Sequence, residues 1–253
     1  MGKIEFDRKG FTHHPDTPQA DKEVYLEHRS KVQKLMQIGL DFILEDGVLY
    51  YRSEEPGREE FGANSKFLHR GAYCPSPVLD LLITNVKRGK ILVRPSSRSK
   101  ITHRFRYAQD GRLLYVDNFS DEKMVSSEYL QHAGEALYGI TIGMSGRLLC
   151  VSEERYEKDC LVSYTLAHFW GENENLTCDK VSCERYEYND EGLEFWDYYQ
   201  LDYGVERIAP SGYVSHIRYQ FEQENGMLAR YRIINHPNVD SGAVFEIASK
   251  RSV

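Results

Sequence analysis

The chain carries only two tryptophans in 253 residues, and no apolar run approaches the roughly 18 residues that a membrane-spanning helix needs. Its opening, "MGKIEFDRKGFTHHPD", lacks the apolar core of a secretory signal. A cytoplasmic protein without membrane contact is the expectation. The five cysteines, Cys74, Cys150, Cys160, Cys178 and Cys183, are odd in number and widely scattered, which argues against a disulfide framework and for reduced thiols. Cys178 and Cys183 lack a second pair at ligand spacing, and their odd offset on a strand sends them to opposite faces, so no metal centre is expected there. Also missing are the G-x-S-x-G nucleophile elbow, the Walker phosphate loop and the dinucleotide glycine fingerprint. Neither an enzyme nor a cofactor is expected.

What is present is apolar material enough for a core, 41% of residues against 28% charged, which excludes a disordered chain. Tyrosine is in surplus, with 18 residues, a residue suited both to half-buried strands and to binding surfaces. The formal net charge of -7 argues against general nucleic-acid binding, which runs on cationic surfaces, and suits a basic partner or simple solubility.

Local grammar changes part-way along the chain. Asp16 or Thr17 as cap, Pro18 in the first turn, and Val24, Tyr25, His28, Val32, Leu35 and Met36 at helical intervals predict a helix over 18–38, stopped by Gly39. Ser76, Pro77 and the stripe Val78, Leu81, Leu82 and Val86 predict a second over 77–88. Residues 52–74 mix charge with glycine and read as a long loop. From about 90 to 250 the period becomes two. Five corners share one plan, at Gly47, Gly111, Gly146, Gly192 and Gly226: a strand end, a few polar residues, a glycine, then an apolar strand. Glycine supplies the positive φ of a hairpin turn. The fold class expected is α+β, mainly β: one domain over 1–253, an antiparallel meander of about ten or more strands, twisted or partly rolled, with two helices in its N-terminal third.

"FRYAQDGRLLYV" and "YEYNDEGLEFW" resemble the YD or RHS repeat of large bacterial toxin-delivery proteins, in which an aromatic pair leads through Asp or Asn to Gly-Arg-Leu. The repeat spacing here is longer and uneven, so the resemblance implies a shared hairpin grammar rather than that family's enclosing shell. In length, acidity and β-meander character the chain also resembles the immunity proteins encoded beside bacterial polymorphic or contact-dependent toxins. That resemblance implies a protein that binds and neutralises a toxin domain.

Two charge blocks bear on function. Residues 94–107 hold Arg94, Arg98, Lys100, Arg104 and Arg106 without an acid, suited to gripping phosphate or an acidic neighbour, or to internal pairing. Residues 183–206 interleave acids with aromatics, and Glu184, Glu187, Asp190, Glu191, Glu194, Trp196, Asp197 and Tyr198 are the candidate partner-binding residues. Negative potential there would steer a basic toxin domain and aromatics would anchor it. Alternation places Glu194, Trp196 and Tyr198 on one side and Phe195, Asp197 and Tyr199 on the other. Two other readings remain: a YD/RHS-like structural module docking through sheet edges, and a metal-dependent hydrolase or nuclease using His13 and His14.

Overall fold

In the computed structural model, which describes residues 19–83, 86–202, 213–236 and 241–247, the two "GRLL" corners have the same backbone. At each, the residue before the turn, Ala108 or Gly143, donates its N–H to the carbonyl of Arg112 or Arg147, at 2.8 Å in both cases. The same residue accepts the glycine N–H at 3.1 and 2.9 Å, with Gly111 at φ +88° and Gly146 at +81°. These are three-residue hairpins closed by a left-handed glycine. Gly192 and Gly226 also turn hairpins with positive φ. Other corners do so without a glycine: Asp121–Glu122 and Lys158–Asp159 both take φ between +47° and +67°, the signature of a primed two-residue turn. Aspartate, present in each pair, tolerates that region better than most residues.

The helices are α1 (Gln19–Leu44), α2 (Gly47–Ser53) and the single turn α3 (Leu79–Leu82). The strands are β1 (Arg58–Ala63), β2 (Lys90–Leu92), β3 (Ile101–Tyr107), β4 (Leu113–Ser120), β5 (Lys123–Ala133), β6 (Ala136–Gly143) and β7 (Leu148–Glu157). Then follow β8 (Cys160–Trp170), β9 (Thr177–Asn189), β10 (Gly192–Asp202), β11 (Tyr213–Glu224), β12 (Met227–Asn235) and β13 (Val244–Glu246). The order is an antiparallel meander in which chain neighbours are sheet neighbours, except that β1 lies between β2 and β3. The chain divides into two compact units, the first Leu35–Glu154 with Gly171–Asn175, the second Met1–Lys34, Arg155–Trp170 and Leu176–Val253.

In the first unit, α1 continues through Gly39, where a stop was expected. A Cβ there would lie 2.6 Å from Leu148 and 2.9 Å from Val151, so this glycine lets the helix sit close to β7. Phe42 and Tyr51 pack on Tyr129, with ring centroids 5.4 and 5.8 Å away, and the Tyr51 hydroxyl donates to the Leu130 carbonyl at 2.8 Å. Gly47 is accordingly the start of α2 and no hairpin corner. The helix expected over 77–88 shrinks to α3. Ser76 does cap it, accepting the Leu79 N–H at 3.2 Å, but Ile83 is already extended and Lys87 bridges to Lys66. The run Ile83-Thr84-Asn85-Val86 is β-branched or a poor helix former at every position. The expected loop over 52–74 contains β1, whose Glu59 faces Arg106 across β3; cross-strand charge pairing overrides weak strand propensity.

The other sheet face of this unit holds a buried polar cluster. Arg70, 3% exposed, donates to Glu128 at 2.8 Å, to Ser152 at 3.0 Å and to Glu154. His69 Nε2 lies 3.0 Å from the other Glu128 oxygen. Gly139 makes room, since a Cβ would fall 2.0 Å from Glu128 Oε1. Burial works against the Glu128 charge, but Arg70 and His69 overcome it and hold the carboxyl well below its ordinary range. Burial, with a smaller push from His69, depresses His103 to about 4.

Arg70→Met leaves two buried carboxylates without their cation, so denaturant melts are expected to show a loss of about 3–5 kcal/mol. Acidification from neutral to about pH 4 costs stability through His103, because the unfolded imidazole takes up a proton before the folded one. The Glu128 contribution is full above the ordinary glutamate range and is lost below it. His103→Asn is expected to flatten the fall in melting temperature between about pH 6.5 and 4; an unchanged profile counts against a buried neutral histidine.

Candidate partner-binding hairpin

The candidate residues lie in the second unit on the β9–β10 hairpin, whose register is set by Tyr186 opposite Trp196, Glu184 opposite Tyr198 and Arg185 opposite Asp197. On one face, Trp196 is fully buried. Its indole Nε1 donates to Glu184 Oε2 at 2.8 Å, and the Tyr186 hydroxyl donates to the same oxygen at 2.5 Å. Tyr198 stacks on the indole at 5.4 Å and Tyr219 of β11 packs at 5.7 Å. A carboxylate buried with two strong donors loses little of its solvation energy.

The opposite face repeats the device with different partners. Asp197, 3% exposed, accepts from Arg218 and from His216 Nε2, both at 2.7 Å. Arg218 also donates to Glu187 at 2.9 Å and lies 4.4 Å above the Phe195 ring. Burial opposes the Arg218 charge, and Asp197 with Glu187 raises its pKa further against that cost. His216 stacks on Tyr199 at 4.1 Å. Helix α1 reaches this face as well: Arg185 donates to Glu27 at 2.9 Å, Lys31 to Thr165 at 2.8 Å, and Cys183 Sγ lies 3.2 Å from His28 Nδ1. Burial pushes the Cys183 thiol up to about 12, so it behaves as an inert core residue.

The eight candidates therefore separate into two groups. Glu184, Trp196 and Asp197 are buried and lock the hairpin, and Tyr198 is half-buried beside them. The expectation of a partner-binding surface at the first three is corrected by their burial. Glu187, Asp190 and Glu191 are exposed and Glu194 is half-exposed, all close to the turn. The simple alternation also fails locally. The register shifts between Leu193 and Phe195, leaving Glu194 as the extra residue of a bulge and placing Leu193, opposite Tyr188, 1% exposed. Bulges of this kind re-aim side chains next to functional positions. The sequence matches no protein-family model and no curated protein.

The sequence reading did not find a groove in the first unit. Ile43, Val48, Leu49, Met124, Ile142 and Met144 line a cavity of about 460 Å³. At its floor Arg52 donates to Asp117, Ser127 and the Tyr129 hydroxyl at 3.0, 2.7 and 3.0 Å. Leu49 and Met144 are 68% and 62% exposed. The signal was hidden because "ILEDGVLYY" looks like a hairpin corner, whereas its Val48, Leu49 and Arg52 lie along one short helix.

The split between lock and tip has a measurable consequence. Asp197→Ala removes the buried carboxylate that Arg218 and His216 share and is expected to cost about 1–3 kcal/mol in urea unfolding, and Trp196→Ala about 3–5 kcal/mol. The double change Asp190→Lys/Glu191→Lys is expected to stay within about 0.5 kcal/mol of the parent. A tip variant as damaging as Asp197→Ala would refute the division.

Proposed function

We propose that the chain is a binding protein that neutralises a cognate, basic toxin domain, meeting it with the acidic tip of the β9–β10 hairpin. One observation carries the reading: three carboxylates, Asp190, Glu191 and Glu194, with Glu187 held by Arg218 behind them, stand at the end of a hairpin whose base is fixed on both faces by buried charge-assisted hydrogen bonds. A tip held in place before binding loses little conformational entropy on association. Its charge steers a cationic partner and adds mainly to the association rate. The absence of catalytic motifs from the sequence is in keeping with a protein that masks an active surface.

The two rival readings have less to stand on. Docking through sheet edges relies on β2 and β13, which have three residues each, and short terminal strands are a device against edge pairing. The metal-dependent hydrolase rests on His13 and His14, which lie outside the described residues.

The test begins with capture from the native host on immobilised protein, followed by co-expression of the captured partner with this chain. The expected result is a basic partner that is toxic alone and harmless with the chain present. Asp190→Lys/Glu191→Lys is expected to slow association about ten-fold or more at low salt, with the gap closing as salt is raised. A partner bound equally by the tip variant, or toxicity unrelieved by the chain, would count against the proposal.

A further inference from the structure

Although the whole chain is acidic, its charge is segregated. Between Phe61 and Tyr107 ten lysines and arginines face a single acid, Asp80. Four of these cations are taken up internally: Arg70 by Glu128 and Glu154, Arg88 by Asp80, Arg104 by Asp117 and Arg106 by Glu59. The other six, Lys66, Lys87, Lys90, Arg94, Arg98 and Lys100, are exposed, and none is ion-paired among the described residues.

Topology gathers Lys66, Lys87, Lys90 and Lys100 at the Ala63 end of β1, with Arg94 and Arg98 on the loop that crosses it. Lys66 and Lys87 exchange both backbone hydrogen bonds, at 3.0 and 2.9 Å, and Lys90 pairs with Ala63. Strands β2 and β3 both run antiparallel to β1 on its two sides. The connection 93–100 must therefore cross from one side of β1 to the other. It returns to the Ala63 level, where the Lys100 carbonyl accepts the Asn64 N–H at 3.1 Å. The crossing returns Lys100 to the level of the lysines and carries Arg94 and Arg98 between the two sides of β1.

Two costs at this edge have no structural return. Lys66 and Lys87 are directly opposite like charges, a destabilising cross-strand pair. Phe67 takes φ +53°, an outlier for a bulky residue, and is 84% exposed. The same loop holds Arg70 at φ +57°, but there the strain is offset by the buried carboxylates. At Phe67 it serves only to hold an aromatic ring out in solvent with the Lys66 ammonium 5.3 Å from its centroid. Strain retained without internal compensation is characteristic of ligand sites.

We propose that this edge binds a single strand of RNA or DNA, with the lysines and the 93–100 loop tracking phosphates and Phe67 stacking on a base. Cations that follow a backbone together with an exposed aromatic platform are what single strands require. Among the described residues of the segment the longest helix is the four-residue α3, too short to serve as a recognition helix in a duplex groove. A bilayer fits less well. The crossing loop, "VRPSSRSK", is closed on itself by the Ser96 and Ser99 hydroxyls, 3.1 Å apart, presents Ser97 to phosphate oxygens, and has only Val93 and Pro95 for insertion. The net charge of -7 averages over this division and conceals it.

The test is fluorescence anisotropy of the full chain with a labelled oligo(dT) of about 15 nucleotides, titrated between about 50 and 200 mM salt. Binding that weakens steeply with salt is expected. Phe67→Ala is expected to weaken it about ten-fold, and Lys66→Ala/Lys87→Ala to make the salt slope shallower by about 1.4. Lys158→Ala, in the β7–β8 turn of the second unit, should leave it unchanged, and all variants should melt like the parent. No binding at low salt, equal affinity for a duplex of the same length, or indifference to both edge variants would overturn the proposal. So would capture by phosphatidylserine vesicles in place of the oligonucleotide, which would assign the edge to a membrane.

Discussion

Burying carboxylates inside a sheet is the constraint around which this protein is organised. Among the described residues six acids are buried on five strands: Asp117, Glu128, Glu153, Glu154, Glu184 and Asp197. Each would cost several kcal/mol if left without partners, so the neighbouring strands and helices must supply donors at fixed register positions. Arg104 and Arg52 do this for Asp117, Arg70 for Glu128 and Glu154, Trp196 and Tyr186 for Glu184, and Arg218 and His216 for Asp197. A one-residue slip would move every such acid to the opposite face, away from its donors. Apolar burial drives the collapse, and these pairs fix the register in which it happens.

That arrangement also decides what the surface offers. Acids used internally no longer contribute to the outer field, and the cations that match them are likewise withdrawn. What remains outside is uneven: carboxylates gather at the β9–β10 tip in the second unit and lysines and arginines around β1 in the first, while other exposed acids, such as Glu122 and Asp159, are spread over separate turns. Function is more readily sought at these two residues of charge than in the composition. Both sit on frames that hold them in place, the hairpin lock in one case and the strained 64–71 loop in the other.

Much of the architecture was legible because turns and strands have local causes. The four corners at Gly111, Gly146, Gly192 and Gly226 follow from glycine's freedom at positive φ, and period-two patterning marked the meander. The misses share a different cause. Gly39 looked like a stop because its use, a close approach to Leu148 and Val151, is a contact distant in sequence. Residues 58–63 have poor strand propensity and pair only because β2 and β3 flank them. The acidic, aromatic strip reads from the sequence as one hairpin, but its inward and outward members could not be told apart. Glutamate and tryptophan both carry polar and binding roles, and the bulge at Glu194 shifts the alternation that would have sorted them. The cation-rich span was noticed only from Arg94 onward, since Lys66, Lys87 and Lys90 join it through strand pairing.

Carboxyl footprinting tests the division of acids most directly. The native chain is treated with a carbodiimide and an amine, and labelling is read residue by residue by mass spectrometry. Asp190 and Glu191 are expected to label quickly, while Asp117, Glu128, Glu184 and Asp197 stay protected until the chain unfolds. Labelling of Glu184 or Asp197 in the folded protein at the rate of Asp190 would contradict it.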